Sequence, residues 1–419
     1  MGTALPAEER TPRRSSPREQ AAAVLGLLDR PLTSYYLVLG CTIMLLALGL
    51  VMVLSASSVQ QIQKTGSAYT LLQKQLMWVA LGLPAMWLAS RLPVKTFRAL
   101  AYPLLLLSAV ALMMVLVPGL GHSANGATRW IGFGELRLQP SEPAKLALVL
   151  WGADLLARKE RLGQLTEWRP LLVPLMPGAG VLVLLVMLGS DLGTTLILLT
   201  IFLALLWVVG APGRLFVGMA GLVVLLVSIL IVVEPYRMQR LTGFLDTSGD
   251  ISGARYQGTQ GLYALASGGW FGTGLGEGRA KWDFLPHAET DFIFAIVGEE
   301  FGLVGTLVVL SLFGLLAYAG LRIARRVKDP FTRLAAAGAT AWLVVQAIVN
   351  IGAVIGVLPI TGIPLPLVSY GGSALIPTLI ALGMLLAFAK REPGARQALA
   401  ARGPGPVLRA LSWLGLARR

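Results

Sequence analysis

Long apolar runs alternate with short polar segments along most of this chain. Four runs contain no charged residue, namely 35–57, 171–190, 192–213 and 215–233. Each is close to the roughly 20 residues that a helix needs to cross about 30 Å of hydrocarbon. A fifth run, 334–389, is long enough for two crossings, with a proline-rich and glycine-containing turn at 359–366. The pattern predicts an all-α polytopic membrane protein.

We predict ten transmembrane helices between residues 35 and 390. The fourth is the least apolar, because Lys145 and Asp154 lie within it. A large outward loop, 234–290, separates the seventh and eighth helices, and basic tails precede and follow the membrane domain at 1–34 and 391–419. The predicted spans are 35–57, 72–91, 97–118, 141–157, 170–189, 192–210, 213–233, 291–322, 333–357 and 366–389.

Composition and charge add an orientation to this picture. Hydrophobic residues make up 55% of the 419 residues, charged residues 13%, and the formal net charge is +14. Basic residues gather in both tails and in alternate turns, and such residues resist translocation. We therefore expect both termini, including a disordered N-terminal tail, to be cytoplasmic in a bacterial plasma membrane. The charge also attracts anionic membrane lipid, and we predict no nucleic-acid partner.

Asp291 lies where the polar outward loop meets the eighth predicted helix. Stabilisation by the helix N-terminus is by itself a sufficient account of an acid at this position. A carboxylate at the outer membrane surface is also a candidate general base. The other polar residues cluster at this outer face, whereas a transporter needs them near mid-membrane. This distribution favours an active site at the extracytoplasmic surface.

The first outward loop, 119–140, leads into a group of charged residues. Ser141 is typical of an N-cap, with Glu142 in the first helical turn and Lys145 about one turn deeper. One interpretation is a capped helix with an internal Glu142–Lys145 ion pair. The other is that Arg129 and Lys145 bind a phosphate group, because a lysine inside the apolar boundary needs a partner.

Five further charged positions are candidates for structural or substrate contacts. Asp191 either caps the sixth helix or contacts Arg129, Lys145 or the substrate. Glu299 and Glu300 lie about two turns beyond Asp291, where they are functional candidates or pair with Lys145. Two more outward cations, Arg237 and Arg240, flank the membrane edge.

A glycine-rich segment, Ser267 to Gly276, lies in the large loop. Glycines permit positive φ and close approach of a ligand, but no strand–helix unit surrounds the segment as a nucleotide site requires. We expect a flexible covering loop.

Three longer motifs occur in order along the chain: Gln139-Pro140-Ser141-Glu142 with Lys145; Leu285-Pro286 followed by DFIFAIVGEEFG from Asp291; and Asn350 to Ser373, which contains LPITGIPLP and SYGGS. Together they resemble the SEDS family, whose members include FtsW, RodA and SpoVE, over residues 35 to 390. Two segments, 235–245 and 268–276 with Lys281, resemble the division branch (FtsW) more than the elongation branch (RodA).

The resemblance implies ten transmembrane helices and polymerisation of lipid II, a disaccharide-pentapeptide on undecaprenyl pyrophosphate, during septal wall synthesis. The family's essential aspartate corresponds to Asp291, as base for the acceptor sugar 4-hydroxyl. Cations such as Arg129, Lys145, Arg237 and Arg240 would stabilise the leaving pyrophosphate. The implied partners are a class B penicillin-binding protein and other division proteins.

No ligand spacing requires a metal, although Asp291, Glu142 and loop carbonyls are candidate ligands for Mg²⁺.

This sequence departs from the family beside the aspartate, because His287 and Glu289 stand in exchanged places relative to the usual order. We treat both as site neighbours. Asp283 lies where the family often has an acid tied to activation. An elongation-type polymerase, a lipid II flippase and an inactive scaffold remain alternatives; a flippase would need a polar path through Lys145, Glu299 and Glu300.

Overall fold

The computed structural model describes residues 30–124, 127–133, 136–163, 172–221 and 253–401. Within these ranges the chain is mostly helical, as the hydrophobic pattern predicts. The helices in chain order are α1 (Thr33–Thr65), α2 (Thr70–Arg91), α3 (Val94–Leu116), α4 (Ser141–Arg161), α5 (Leu175–Leu188), α6 (Leu192–Val209), α7 (Gly253–Ser267), α8 (Ile293–Arg326), α9 (Pro330–Val354), α10 (Leu375–Ala389) and α11 (Ala395–Ala401).

Every predicted span contains helical residues within the described ranges. The seventh, 213–233, is described only as far as residue 221, and its remainder lies outside the described residues. Within the described ranges, six helices are long and apolar enough to cross a membrane: α1, α3, α6, α8, α9 and α10 with the turn Gly372–Ala374 before it. The chain is therefore a polytopic membrane protein. The predicted tails 1–29 and 402–419 also lie outside the described residues.

The last predicted span begins later than expected. Residues 366–371 are not helical; a short 3₁₀ turn, Gly372–Ala374, precedes α10. The prolines at 359, 364 and 366 lack an N–H to donate, and Leu367 and Gly372 have positive φ values of 66° and 50°. Residues 359–371 therefore form an irregular strap across the end of the bundle.

The first outward loop contains a small antiparallel sheet, which the hydrophobic pattern did not predict. Strands β1 (Gly121–Ala124), β2 (Ala127–Phe133) and β3 (Leu136–Leu138) pair in the order β1-β2-β3. Ile131 is opposite both Gly121 and Leu138. The N–H of Thr128 donates to the Gly189 carbonyl at 3.1 Å, so the sheet is attached to the turn between α5 and α6.

The core consists of helices packed in a bundle. Helix α9 packs against α4, α6 and α8, while α10 packs against α2 and α1. Small residues allow close approach in this core: a Cβ at Gly383 would lie 2.3 Å from the Met86 carbonyl oxygen on α2. Such close backbone contact is common between membrane helices, where packing replaces the hydrophobic driving force.

One end of the bundle brings the predicted basic turns together. Asp329 accepts from Arg98 at 3.1 Å and from Arg161 at 3.2 Å. Arg333 contacts Glu160 at 2.7 Å. Lys390 donates to the Ser90 carbonyl at 2.9 Å, and Arg322 lies 3.9 Å from Glu392. These contacts place the turns on the same end, which we name the basic end.

Candidate active site

Asp291 lies at the opposite end, just before α8. The helix begins at Ile293, two residues later than predicted, because the N–H groups of Thr290 and Phe292 turn back to the His287 carbonyl at 3.1 and 3.3 Å. The half-buried Asp291 lines a small cleft, together with Phe292, Asn350 and residues 360–363. A carboxylate in this position is accessible from this end of the bundle, which we name the outer end because the predicted outward loops meet there.

Asn350 fixes the backbone on two sides of this cleft. Its Nδ2 donates to the carbonyl oxygens of Asp291 and Ile363, each at 2.8 Å. Both partners are acceptors, so the amide nitrogen must face them and the amide orientation is determined. Sequence reasoning placed Asn350 in a family motif but did not identify it as a site residue. Only the fold brings it to Asp291, 59 positions earlier.

Asn350 is the end of a polar row along α9. Trp342, Gln346 and Asn350 are spaced four residues apart and therefore share one helical face. The Trp342 indole N–H donates to Gln346 Oε1 at 2.8 Å, and Gln346 Nε2 donates to the Pro364 carbonyl at 3.0 Å. The row thus binds two consecutive carbonyls of the irregular strap, Ile363 and Pro364.

Lys145 joins this row from α4. Its Nζ lies 2.8 Å from both carboxylate oxygens of Glu142 and 3.0 Å from Gln346 Oε1, above the Trp342 ring. The predicted Glu142–Lys145 ion pair is confirmed. The Lys145 side chain is 1% exposed. Its ammonium is enclosed by protein, so the structure gives no support to direct phosphate binding by Lys145.

The N-terminus of α4 differs from the prediction. Pro140 is the N-cap, and Ser141 is the first helical residue without a capping side-chain bond. The Ser141 hydroxyl instead accepts from Gln139 Nε2 at 3.1 Å, and the Gln139 N–H donates to Ser373 Oγ at 3.0 Å. Contacts across the fold therefore replace the local cap that the sequence indicated.

Both interpretations of Asp191 apply together. Its carboxylate caps α6 by accepting from the Thr194 N–H at 3.1 Å, and it lies 3.7 Å from Arg129 Nη1. Arg129 also donates to the Ser190 carbonyl at 3.4 Å. The Arg129 side chain is 23% exposed. Its guanidinium is consequently held at the surface with donors still open to an anionic group.

Lys281 and Glu300 form a second buried ion pair. Lys281 Nζ lies 3.1 Å from Glu300 Oε1 and 3.2 Å from Ser55 Oγ, and it also donates to the Gly276 carbonyl. Glu299 accepts the backbone N–H of Arg279 at 2.7 Å. The interpretation that Glu299 and Glu300 pair with Lys145 is therefore wrong, because their partners belong to the loop and to α1.

The glycine-rich segment packs on a break in α8, contrary to the expected flexible cover. Gly302 interrupts the helix with φ 65° and ψ −160°. The N–H groups of Leu303 and Val304 then donate to the carbonyls of Gly269 and Trp270 at 2.9 and 3.2 Å. A Cβ at Gly302 would lie 2.4 Å from the Gly272 nitrogen. Both this lack of space and the positive φ require glycine at position 302.

The residues around Asp291 are attached to the strap. The N–H of Tyr370 donates to the Glu289 carbonyl at 2.9 Å, and Ser369 Oγ donates to the Thr290 carbonyl at 2.6 Å. Burial raises the pKa of Tyr370, and the negative charge of Glu289 raises it further. His287 is exposed and has a positive φ of 59°. The exchanged pair thus places the carboxylate beside Tyr370 and the imidazole at the surface.

Of the three remaining predicted residues, Asp283 lies within the described ranges. Asp283 accepts from Gln60 Nε2 at 3.0 Å, which connects the loop to the outer end of α1. Arg237 and Arg240 lie outside the described residues. Among the described residues, no group of three or more His, Cys, Asp or Glu side chains is arranged to hold a metal ion.

The model of the FtsW, RodA and SpoVE family, described as cell cycle protein, matches residues 35–393. The chain belongs to this family. It is 44% identical over 408 residues to the probable peptidoglycan glycosyltransferase FtsW of Mycobacterium tuberculosis, which covers 97% of this chain and 76% of the relative. Within the SEDS family the chain is most like FtsW, as the sequence motifs indicated.

Solved SEDS structures share the fold. One comes from work on coordination of polymerization and crosslinking by a peptidoglycan synthase complex, with TM-score 0.70, 32% identity, and 84% of this chain and 97% of that chain covered. Another is the rod shape determining protein RodA of Thermus thermophilus, with TM-score 0.61, 30% identity, and coverage of 85% and 97%.

Proposed function

We propose that this chain is a peptidoglycan glycosyltransferase that polymerises lipid II during septal wall synthesis, with Asp291 as the general base. Asp291 supports this proposal most directly, because a half-buried carboxylate lines a cleft and its backbone is fixed by Asn350. Similarity to relatives that carry the glycosyltransferase name supports the reaction class.

The chemistry is a single displacement at the donor sugar. Asp291 accepts the proton of the acceptor 4-hydroxyl while that oxygen attacks the donor's anomeric carbon, and undecaprenyl pyrophosphate leaves. No carboxylate nucleophile is needed, because one displacement inverts the configuration. Arg129 is the described candidate that has partly exposed donors for the departing pyrophosphate. Lys145 positions its neighbours and does not contact the substrate, because its ammonium already donates to Glu142 and Gln346.

The basic end corresponds to the cytoplasmic side in this proposal, because clustered Lys and Arg resist translocation. Asp291 and the strap then face the extracytoplasmic side, where lipid II presents its sugars. A class B penicillin-binding protein is the proposed partner, in line with the similarity to a chain of a peptidoglycan synthase complex.

Asp291→Asn tests the base assignment. The amide keeps the size of the side chain but cannot accept the proton, so we expect polymerisation of purified lipid II to fall by at least about a hundredfold. The measurement is the glycan product with and without the cognate class B protein, for variants that elute and melt like the wild type. Glu277→Gln, a change at an exposed acid of the same loop, is the matched control.

Polymerisation retained in folded Asp291→Asn would overturn the base assignment. Cells whose only copy is Asp291→Asn should form filaments because septation stops. Rounded cells of normal division frequency would instead indicate an elongation role.

A further inference from the structure

Two adjacent aromatic side chains in the glycine-rich segment extend away from the protein. Phe271 is 83% exposed, the largest exposed fraction of any bulky apolar side chain in the described ranges, and Trp270 is 70% exposed. No charged residue occurs between Ser267 and Gly276. Single exposed apolar residues are ordinary, but a pair of large rings indicates a surface that something else covers. The height of this pair relative to the membrane shows what covers it.

Helix α8 gives a first measure of this height. The N–H groups that follow the break at Gly302 donate to the carbonyls of Gly269 and Trp270, so the aromatic pair lies beside the break. Leu303 and Arg325 are 22 positions apart, which is about 33 Å of helix. This length matches a hydrocarbon core of about 30 Å. Since Arg325 is in the last turn of α8, at the basic end, Leu303 lies at the outer boundary of the hydrocarbon.

Helix α1 gives the same height independently. Tyr35 lies at the basic end, where Lys390 Nζ is 5.3 Å from the centre of its ring. Ser55 is 20 positions further along, or about 30 Å of helix, and its Oγ donates to Glu300 Oε1 at 2.5 Å. Glu300 lies two residues before Gly302, so both helices place the break at the outer hydrocarbon boundary.

The exposed face of α8 is continuous with the aromatic pair. Leu303, Leu307 and Leu310 are 41%, 50% and 44% exposed, and no charged residue occurs from 301 to 321. In a polytopic membrane protein such a stripe faces lipid. Aromatic rings are enriched where such a surface reaches the membrane–water interface. Trp270 and Phe271 therefore continue the lipid-facing surface to its outer edge.

The backbone of the segment suits an environment of low polarity. The N–H groups of Thr273 and Gly274 donate to the carbonyls of Glu299 and Glu300 at 2.9 and 3.2 Å. Two carbonyls of the same segment accept the N–H groups on the other side of the break. Irregular backbone at membrane depth is tolerated only where such bonds satisfy it. The segment can enter the interface because these backbone groups are already paired.

We propose that Trp270 and Phe271 insert into the outer boundary between lipid headgroups and acyl chains, as a lipid anchor of the large loop. The phenyl ring of Phe271 enters the acyl region, and the indole N–H of Trp270 remains among the headgroups. The anchor acts at the break in α8, so it fixes the height of Asp291 above the lipid surface. It does not depend on the reaction proposed for Asp291.

The test measures the depth of single fluorescent labels in vesicles. Cys41, the only cysteine, is replaced by alanine, and the fluorophore NBD is attached to Phe271→Cys, Trp282→Cys or Leu307→Cys in the full chain. The vesicles contain phosphatidylglycerol and phosphatidylcholine, with a nitroxide quencher either near the headgroup or deep in one acyl chain of the phosphatidylcholine. The measured quantity is the fluorescence lost to each quencher.

The two comparison positions differ from Phe271 in height. Trp282 is 60% exposed in the same loop, but its neighbour Asp283 accepts from Gln60. Gln60 is five positions beyond Ser55 on α1, or about 8 Å further out. Trp282 is therefore the matched control for an exposed ring above the lipid. Leu307, on the apolar stripe, is the control for a label in the hydrocarbon.

The label at 271 should lose about half or more of its fluorescence to the shallow nitroxide, because an interfacial side chain lies about 5–10 Å into the headgroup and acyl boundary. The label at 307 should be quenched most by the deep nitroxide, and the label at 282 hardly by either. Weak and equal quenching at 271 and 282 would overturn the anchor. Shielding of the label at 271 from aqueous iodide only after a class B penicillin-binding protein is added would identify a protein-docking surface instead.

A measurement without labels covers the case in which Phe271→Cys does not fold. Brominated phosphatidylcholine quenches tryptophan fluorescence on contact. Trp270→Phe should remove part of the emission that this lipid quenches, whereas Trp282→Phe should leave the quenched part unchanged. The same change in both variants would contradict the anchor.

Discussion

The two ends of the bundle use charge in different ways. At the outer end, Lys145 and Lys281 are almost completely enclosed, and each is paired with a glutamate and a neutral oxygen. At the basic end the Arg322–Glu392 pair is buried as well, but other arginines remain in solvent. Arg158 pairs with Asp154 of its own helix and Arg161 pairs with Asp329, and the two arginine side chains are 61% and 54% exposed. The first arrangement is a closed set of hydrogen bonds, and the second is an open network.

This difference indicates what each end contributes. A buried pair is weak evidence for stability, but removal of one member leaves an uncompensated charge. An exposed pair contributes at most about 1 kcal/mol and weakens with salt. The outer end therefore fixes the geometry around Asp291, whereas the exposed pairs of the basic end join helix ends loosely.

Breaking the Lys281–Glu300 pair should have the largest effect. Lys281→Met leaves Glu300 buried beside Ser55, and the expected loss is about 3–5 kcal/mol of unfolding free energy. Thermal unfolding in detergent measures it. The double variant Lys281→Met/Glu300→Leu should recover much of the loss, because no isolated charge remains. A single variant as stable as the double would show that the pair is not a closed unit.

The α9 row should show an intermediate effect. Gln346→Leu deprives Lys145, Trp342 and the Pro364 carbonyl of one partner each, so we expect a loss of about 1–3 kcal/mol and slower polymerisation. The melting temperature and the turnover number are the two measurements. Gln63→Leu, at an exposed position near the outer end of α1, should change neither. Equal effects of the two variants would argue against the row as a support for Asp291.

Asp329 at the basic end should show the smallest effect. Burial raises its pKa, but the hydrogen bonds from Thr332 and the charges of Arg98 and Arg161 outweigh burial and lower the pKa below its ordinary value. The carboxylate therefore contributes stability above the unfolded-state pKa, and this contribution is lost as the pH falls through the lower folded-state pKa.

Asp329→Asn should consequently cost about 1 kcal/mol or less near neutral pH. The difference from wild type should disappear as the pH falls below the ordinary aspartate pKa of about 3.9. Unfolding measured over a series of pH and salt values checks this expectation. A cost that grows as the pH falls would contradict the direction of the shift.

Local sequence patterns predicted the helices and one ion pair because those features depend on neighbouring residues. Hydrophobic runs located the helices of the described residues, although the last span begins later than predicted, and the three-residue spacing of Glu142 and Lys145 indicated their contact. The pairing of Lys281 with Glu300 depends on the path of a loop, and the Asn350–Asp291 bond depends on how α8 meets α9. Neither contact follows from a periodic pattern of residues, so the sequence could not reveal them.

The break in α8 was also hidden, because Gly302 lies within an otherwise helical hydrophobic run and its partners come from a distant loop. The sheet in the first outward loop was missed for a related reason, since its short strands are stabilised by pairing with one another and by the turn at Gly189.

The interruption at Gly302 divides α8 into two mechanical parts. The outer part carries Asp291 at its start, and the inner part reaches the basic end. The carbonyls of Gly269 and Trp270 replace the helical acceptors at the joint, so a force on the inner part is transmitted largely to that loop. We therefore expect the outer part to keep its contacts with α9 if the inner part tilts, so that the position of the proposed base is insensitive to movement of the rest of the helix.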